Sequence, residues 1–312
     1  MTKEFEFEVL IDEELVTFAD QTIEVVGNEN LLSIVNDYEE GKWRYSKFAK
    51  FIWNSAKEAA LTAAERAANF KDEATILSTV AERLRISDDN GKGSELAEIF
   101  LYGIMRRYYG ALPVVPKIWH KQNRNDNVKG ADSVHIIIKD GDAFELWLGE
   151  AKFYTTIKTC DFEHFIDSVE QTLNRETIRK ENSFVIGLKD LEQLLNEEYK
   201  ERKEALHRNI VRCLSDKTSL DEIKTILHIP ILLIDNCAIT KEAVTIDNEY
   251  REAIKLEHKE RAVNYFQKQI ELLKNKIHHY DKIHFHLILF PVPDKSIIVE
   301  RYLSCAKNLR QM

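Results

Sequence analysis

The spacing of apolar residues divides the chain into a mostly helical beginning and a β-containing remainder. Acidic and apolar residues alternate over residues 4–10, which predicts a short strand. Residues 31–84 are rich in Ala, Glu, Lys and Leu and carry apolar positions at helical spacing, so we expect an all-helical lead-in. The polar, glycine-containing segment 87–94 predicts a loop. We therefore divide the chain into a mostly helical region, 1–90, which is a candidate partner interface, and an α/β domain, 91–312.

The second region opens with an amphipathic helix and continues into a predicted β-hairpin. Residues 95–109 place apolar side chains on one side of a helix. Two β-rich segments, 133–139 and 144–152, follow a polar loop and are joined by a turn around Gly141. This pattern predicts two antiparallel strands in register with each other.

Beyond the hairpin the pattern alternates between helix and strand. The expected elements are helical segments over 161–214, with 184–188 also compatible with a short strand, then a strand over 228–236, a charged helix over 250–278, a strand over 283–291 and a helix over 296–309. Together with the hairpin they predict an α/β core, a mixed sheet flanked by helices.

Composition narrows the class of protein. With 312 residues, 44% of them hydrophobic, and only ten glycines and five prolines, the chain is expected to be folded and globular. The start lacks the basic and then apolar pattern of a secretory signal, and the most apolar stretches, 229–234 and 285–292, are far shorter than the roughly 20 residues that span a bilayer. Four widely spaced cysteines form no metal-binding pair. We therefore expect a cytoplasmic protein with reduced thiols and no membrane association.

The net charge of −9 bears on any role with nucleic acid. Non-specific affinity for DNA comes mainly from Lys and Arg side chains that neutralise phosphates. An acidic chain that acts on DNA therefore needs a divalent metal ion or a basic partner to compensate.

The hairpin carries the residues with the clearest chemistry. Side chains two apart on a strand point to one face, so Glu150 and Lys152 emerge together while Ala151 faces the other way. If the loop is centred on Gly141, Asp132 lies directly opposite Glu150; a two-residue loop would shift this pairing by one. Opposed Cβ atoms are about 4.5–5.5 Å apart, which lets both carboxylates reach one Mg²⁺ or Mn²⁺.

These three residue types together predict hydrolysis of phosphodiester bonds. Facing carboxylates on an apolar strand pair repel each other and lose solvation unless a cation compensates. A bound metal ion lowers the pKa of a water, while Lys152 would orient that water or stabilise charge on the phosphoryl oxygens. The alternative is that Asp132 is a turn residue and that Glu150 and Lys152 form an exposed pair at a sheet edge. The apolar run before Glu150 argues against that alternative.

Other side chains are candidates for supporting roles. Glu95 and Glu98 lie on neighbouring positions of one helix face, and either could supply a further metal-directed carboxylate; the alternative is that they complement the helix dipole. His284 and His286 share a strand face that could hold zinc, or they simply pack. The candidate contacts with a phosphate backbone, which a solvated loop would equally explain, are Lys117, Lys121, Arg124 and Lys129.

Two segments around the hairpin, GADSVH (130–135) and ELWLGEAKFY (145–154), resemble the HamA nuclease family of Hachiman anti-phage defence. The likeness extends upstream through YGALP (109–113) and PKI (116–118), and it covers at least residues 93–154. Downstream the agreement is one of pattern only.

The resemblance implies a PD-(D/E)xK nuclease with a restriction-endonuclease-like core, acting on DNA with a superfamily 2 helicase partner, HamB. It implies that Asp132, Glu150 and the backbone carbonyl of Ala151 bind the metal ion and that Lys152 is the motif lysine. Ala131 stands where the motif's name has proline, a position that varies in this superfamily.

Two rival functions share this fold. One is a non-catalytic scaffold that binds a helicase or nucleic acid, against which the intact set of two acids and a lysine argues. The other is a stand-alone restriction-type endonuclease, which must read base edges itself, although no sequence-reading module is recognisable. Nothing in the sequence indicates a homo-oligomer.

Overall fold

A seven-stranded mixed sheet forms the centre of the protein. The computed structural model describes residues 5–68, 73–85, 93–118, 130–157 and 161–311. The strand order is β1-β2-β9-β8-β7-β6-β5, and β3 and β4 form a separate two-stranded hairpin. The strands are β1 (Glu8–Glu14), β2 (Glu29–Val35), β3 (Tyr38–Glu39), β4 (Lys42–Trp43), β5 (Leu112–Val115), β6 (Ser133–Ile138), β7 (Phe144–Tyr154), β8 (Leu227–Asn236) and β9 (His284–Val292).

Helices cover both faces of this sheet. Within the described residues they are α1 (Tyr45–Ala60), α2 (Ala63–Ala68), α3 (Glu73–Arg83), α4 (Ser94–Arg107), α5 (Phe162–Thr172), α6 (Arg175–Gly187), α7 (Lys189–Glu198), α8 (Lys203–Leu214), α9 (Leu220–Lys224), α10 (Ala238–Glu242), α11 (Asn248–Leu273) and α12 (Lys295–Leu309). None of these helices combines the length and the apolar composition that crossing a bilayer requires. The predicted α/β class, a mixed sheet flanked by helices, is confirmed.

The predicted hairpin is present, and its register is the expected one. β6 and β7 are antiparallel, with Ser133 paired to Gly149, and Gly141 has the positive φ of 64° that suits a tight turn. The N–H of Asp132 donates to the carbonyl of Gly149 at 2.8 Å. The pairing therefore continues past the end of β6 and brings Asp132 alongside Glu150.

Alternating strand residues divide the core into two layers. Side chains on one sheet face pack with α5 to α9 and α11, and those on the other face pack with α1, α3, α4 and α12. In β7, Leu146 and Leu148 belong to the first layer, while Trp147 and Ala151 belong to the second. Glu150 and Lys152 have the same parity as Leu148, so they project toward the α5 side.

The amphipathic helix predicted over 95–109 is α4, and it is more deeply buried than an amphipathic helix would be. Every residue from 95 to 105 is buried. The helix packs against α1 and also against β7, so little of its circumference meets solvent. This position inside the molecule explains why its apolar stripe is accompanied by buried acidic residues.

One sequence expectation about secondary structure was wrong. Residues 31–43, predicted to be helical, form most of β2 and the β3–β4 hairpin. Residues 184–187 lie in α6, which agrees with the predicted helix and not with the alternative of a short strand. β2 pairs with β1 on one side and with β9 on the other, so distant parts of the chain determine its conformation. The boundary expected near residue 90 lies outside the described residues, but β1 and β2 belong to the same sheet as the hairpin.

Candidate active site

Asp132, Glu150 and Lys152 converge at the end of the hairpin. The Lys152 Nζ lies 3.2 Å from Glu150 Oε2 and 3.5 Å from Asp132 Oδ2. The ammonium group therefore stands between two carboxylates that come from neighbouring strands. This is the grouping that the strand parity and the turn position predict.

Each of the two carboxylates also accepts a hydrogen bond from a group other than Lys152. The Ala151 N–H donates to Asp132 Oδ2 at 3.1 Å, and the Thr172 hydroxyl donates to Glu150 Oε1 at 2.5 Å. Thr172 is buried at the end of α5. Both carboxylates are thus held in orientation by groups outside the three-residue cluster.

The sequence reasoning missed Thr172, although a signal was available. Phe165 and Val169 are buried on the inner side of α5, and helical spacing places Thr172 next in that stripe. A polar residue at a core-facing position needs a hydrogen-bond partner. Its partner proves to be the site carboxylate.

The cluster has two carboxylates but only one ammonium group, and its burial makes this imbalance of charge unfavourable. Burial raises the pKa of Glu150, and the nearby Asp132 carboxylate raises it further; Lys152 and Thr172 oppose the shift, and the resulting pKa is about 8. Burial alone would lower the pKa of Lys152, but Asp132 and Glu150 raise it above its usual value. The lysine therefore stays charged, while Glu150 tends to hold a proton near neutral pH.

The site is reachable from solvent on the lysine side. The side chain of Lys152 is 27% exposed and that of Asp132 is 16% exposed, whereas that of Glu150 is 7% exposed. A phosphate group approaching from solvent would therefore meet the ammonium group and Asp132 before it met Glu150.

The two candidate glutamates of α4 have different surroundings. The Glu98 carboxylate contributes to raising the pKa of Lys152, so it lies within electrostatic reach of the cluster. The Glu95 oxygens accept from the Arg85 N–H at 2.9 and 3.1 Å. This contact ties Glu95 to the backbone just after α3, and Glu98 is the better candidate for a metal-directed carboxylate.

The surroundings of Lys117 argue against the predicted contact of its side chain with a phosphate backbone. Its side chain is buried and forms an ion pair with Glu181 at 2.5 Å. A buried ammonium group paired in this way cannot reach a surface ligand without leaving an unpaired charge inside the protein. The other three residues of that proposed contact set, Lys121, Arg124 and Lys129, lie outside the described residues.

The histidines of β9 pack against aromatic rings. The ring of His286 stacks on Trp147 and that of His284 stacks on His228, and His228 Nδ1 lies 2.9 Å from His286 Nε2. Burial lowers the pKa of His228 and of His286 far below the usual value. Neutral, stacked rings of this kind agree with the packing alternative.

The mixed sheet, its flanking helices and the acidic hairpin define a protein with a nuclease-like α/β core. The family model of HamA matches residues 11–304, and the chain belongs to the HamA family. This family is part of the Hachiman anti-phage defence system, which also contains a helicase subunit. A search of curated proteins found no match. The family match extends the likeness seen around the hairpin to nearly the whole chain.

Proposed function

We propose that this chain is a metal-dependent nuclease that hydrolyses phosphodiester bonds of DNA as the effector subunit of its defence complex. The observation that carries the proposal is the position of the Lys152 ammonium group, 3.2 Å from the Glu150 carboxylate and 3.5 Å from that of Asp132. A superfamily 2 helicase subunit of the HamB type would bring the enzyme to DNA and activate it. The family membership of the chain supports this partner.

Asp132 and Glu150 are the residues that would hold Mg²⁺ or Mn²⁺. Mg²⁺ is commonly bound through one or two carboxylates, with water molecules as the remaining ligands. The Ala151 carbonyl leaves β7 on the same edge as its N–H, which donates to Asp132, so it is suited to act as a third ligand. The raised pKa of Glu150 fits this role, because a divalent ion would relieve the same deficit of positive charge.

Each side chain of the site would have its own role in the reaction. A metal ion bound here would supply a water of lowered pKa and polarise the phosphoryl oxygens. Lys152 would donate to a non-bridging oxygen of the scissile phosphate and stabilise the charge that develops there. Thr172 would keep Glu150 in one orientation through its hydroxyl, and Glu98 would add negative potential from α4.

The test is cleavage of plasmid DNA by the purified chain, with and without its helicase partner, in the presence of Mg²⁺. We expect Asp132→Ala, Glu150→Ala and Lys152→Ala each to lower the rate by about 100-fold or more. Asp140→Ala is the matched control, because Asp140 is an exposed acid in the turn of the same hairpin. Addition of EDTA should abolish cleavage by the unsubstituted protein.

The same experiment separates the rival functions. Inactivity with every metal ion and with the helicase present would overturn the nuclease proposal and favour a non-catalytic scaffold. Cleavage at one fixed sequence without the helicase would instead favour a restriction-type enzyme. Equal loss of activity in the Asp140→Ala control would show that the effect is not specific to the cluster.

A further inference from the structure

We propose that Asp221, His278 and His279 form a second metal site, which takes Zn²⁺ or a similar transition-metal ion. One ligand atom from each of the three side chains lies within 4.8 Å of the other two. The Nε2 atom of each imidazole lies 3.9 Å from Asp221 Oδ2. None of these residues belongs to the cluster around Lys152.

The separations between these atoms are slightly larger than those around a bound zinc ion. A tetrahedral zinc site with bonds of about 2.0–2.1 Å has its ligand atoms about 3.4 Å apart. At 3.9 Å, the two contacts with Asp221 are too long to be hydrogen bonds. Side-chain rotation would have to shorten the two contacts with Asp221 by about 0.5 Å and bring the two imidazole ligand atoms, which lie within 4.8 Å of each other, to the same spacing.

The backbone brings the two histidines together. His279 has a φ of 56°, in the left-handed region that non-glycine residues rarely adopt. Consecutive side chains on an extended strand would point to opposite faces. Here the ring centroids of His278 and His279 are 3.9 Å apart, so both imidazoles lie on the same side of the backbone, next to Asp221.

A buried lysine joins the two segments that carry the ligands. Asp221 lies in α9, which is held by a capping box between Ser219 and Glu222. The Nζ of Lys224, from the same helix, donates to the carbonyl of His278 at 2.5 Å. This contact holds the helix of Asp221 next to the backbone of the histidine segment before any ion binds.

The charges around the cluster tolerate a cation. Lys276 is engaged by Glu170 at 3.1 Å, and Lys282 by Asp281 at 3.5 Å. The ligand set of two imidazoles and one carboxylate suits Zn²⁺, Co²⁺ or Ni²⁺ and excludes Mg²⁺, which prefers oxygen.

An ion at this site would join the starts of two neighbouring strands. α9 leads directly into β8, and the turn Tyr280–Lys282, which follows the histidines, leads directly into β9. β8 and β9 are parallel partners in the middle of the sheet. The ion would therefore link the segment before β8 to the segment before β9. Its remaining coordination position would be open to water.

The experiment is a Zn²⁺ titration of the full chain by calorimetry, repeated with Co²⁺ and followed by its visible absorption. The chain carries Glu150→Ala and the buffer contains excess Mg²⁺, so that the carboxylate cluster does not contribute. We expect one equivalent of Zn²⁺ to bind, and Asp221→Asn, His278→Ala and His279→Ala each to weaken binding by about ten-fold or more. His164→Ala, which removes an exposed histidine of α5, is the matched control and should bind like its parent.

Each result decides the proposal independently of nuclease activity. Stoichiometric binding lost in all three ligand variants, with a tetrahedral Co²⁺ spectrum, supports the site. Absence of stoichiometric binding, or affinities within two-fold of the parent in the ligand variants, overturns it. Melting temperatures recorded in EDTA must match the parent, since the three side chains are not part of the core.

Discussion

Glu150 is the residue whose environment is most unusual for its type. It is buried, it faces Asp132, and its pKa of about 8 lies above the ordinary range of a glutamate. In the unfolded chain its pKa returns to the usual value near 4.3. The folded protein therefore binds more protons than the unfolded chain between these two pH values.

This difference predicts the sign of a pH effect on stability without metal. Because the folded state holds the extra proton, the free energy of unfolding should fall as the pH rises from about 5 to about 8. The melting temperature in EDTA measures this, and Glu150→Gln should flatten the dependence and be more stable than the unsubstituted protein at pH 8. A melting temperature that rises over the same interval in EDTA would contradict the assignment.

Thr172 should act through Glu150 rather than on the substrate. Thr172→Val keeps the shape of the side chain but removes the hydroxyl that donates to Glu150 Oε1. We expect a loss of about 10-fold in activity, a weaker apparent affinity for Mg²⁺ and a shift of the pH–rate profile to higher pH, since the hydroxyl lowers the pKa of Glu150.

The conservative variant Thr172→Ser separates this positioning role from simple packing. It restores the hydroxyl while deleting a methyl group, so it should recover most of the activity and the original Mg²⁺ dependence. If Thr172→Ser lost as much activity as Thr172→Val, the hydroxyl would not be sufficient for the role of Thr172, and this prediction would be contradicted.

At the scale of elements, the site depends on how closely β6, β7 and α4 approach one another. A Cβ atom built on Gly149 would lie 2.3 Å from the Ser133 hydroxyl oxygen and 2.7 Å from a methyl carbon of Leu101. No side chain other than hydrogen fits there without movement. Gly149 therefore sets the spacing of the strand pair that carries Asp132 and Glu150.

Gly149→Ala should destabilise the protein by about 1–3 kcal/mol, because the hairpin or α4 must shift to make room. Gly187→Ala is the matched control: a Cβ atom there meets nothing within 4 Å, and its effect should stay within about 0.5 kcal/mol. Chemical denaturation of both variants measures the difference. Equal stability of the two variants would show that the contact is readily relieved.

The strand order shows how elements from opposite ends of the chain support the hairpin. β9 and β2 follow β8 in the sheet, so strands from the last and the first parts of the chain extend the same layer. The parallel pairing of β7 with β8 aligns Lys152 with Leu233, in a strand that is buried from Leu227 to Asp235. The catalytic hairpin we propose is therefore held on one edge by β8 and on the other by the short strand β5.

At the scale of the whole molecule, the net charge of −9 has to be reconciled with the DNA substrate that we propose. A subunit that docks on a DNA-handling partner need not bind DNA strongly by itself, and weak intrinsic binding would restrain a toxic activity. The ion pair of Lys117 with Glu181 argues against one of the four candidate contacts with the DNA backbone, which makes the isolated chain still less suited to bind DNA strongly.

We predict that the isolated chain binds duplex DNA much more weakly than its complex with the helicase subunit at physiological salt. Fluorescence anisotropy with Glu150→Ala protein, in which cleavage is blocked, measures both affinities. The complex should also show the steeper dependence of affinity on salt, because it neutralises more phosphates. Equal affinities for the two species would contradict this explanation of the acidic charge.

The sequence by itself determined the hairpin and the three residues grouped on it. Strand alternation and a turn at Gly141 are local properties, and they fix which side chains share a face and which residues pair. The later strands β8 and β9 and the last helix were equally readable from their apolar patterns.

Only the tertiary structure decided the features that depend on distant contacts. An apolar run such as Leu31 to Val35 fits helix or strand, and pairing with β1 and β9 made it a strand. Lys117 is buried because its side chain pairs with Glu181. Thr172 reaches Glu150 because α5 packs against the sheet. The physical reason is the same in each case: periodicity encodes the face a residue occupies, whereas its partner there is set by elements far away in the chain.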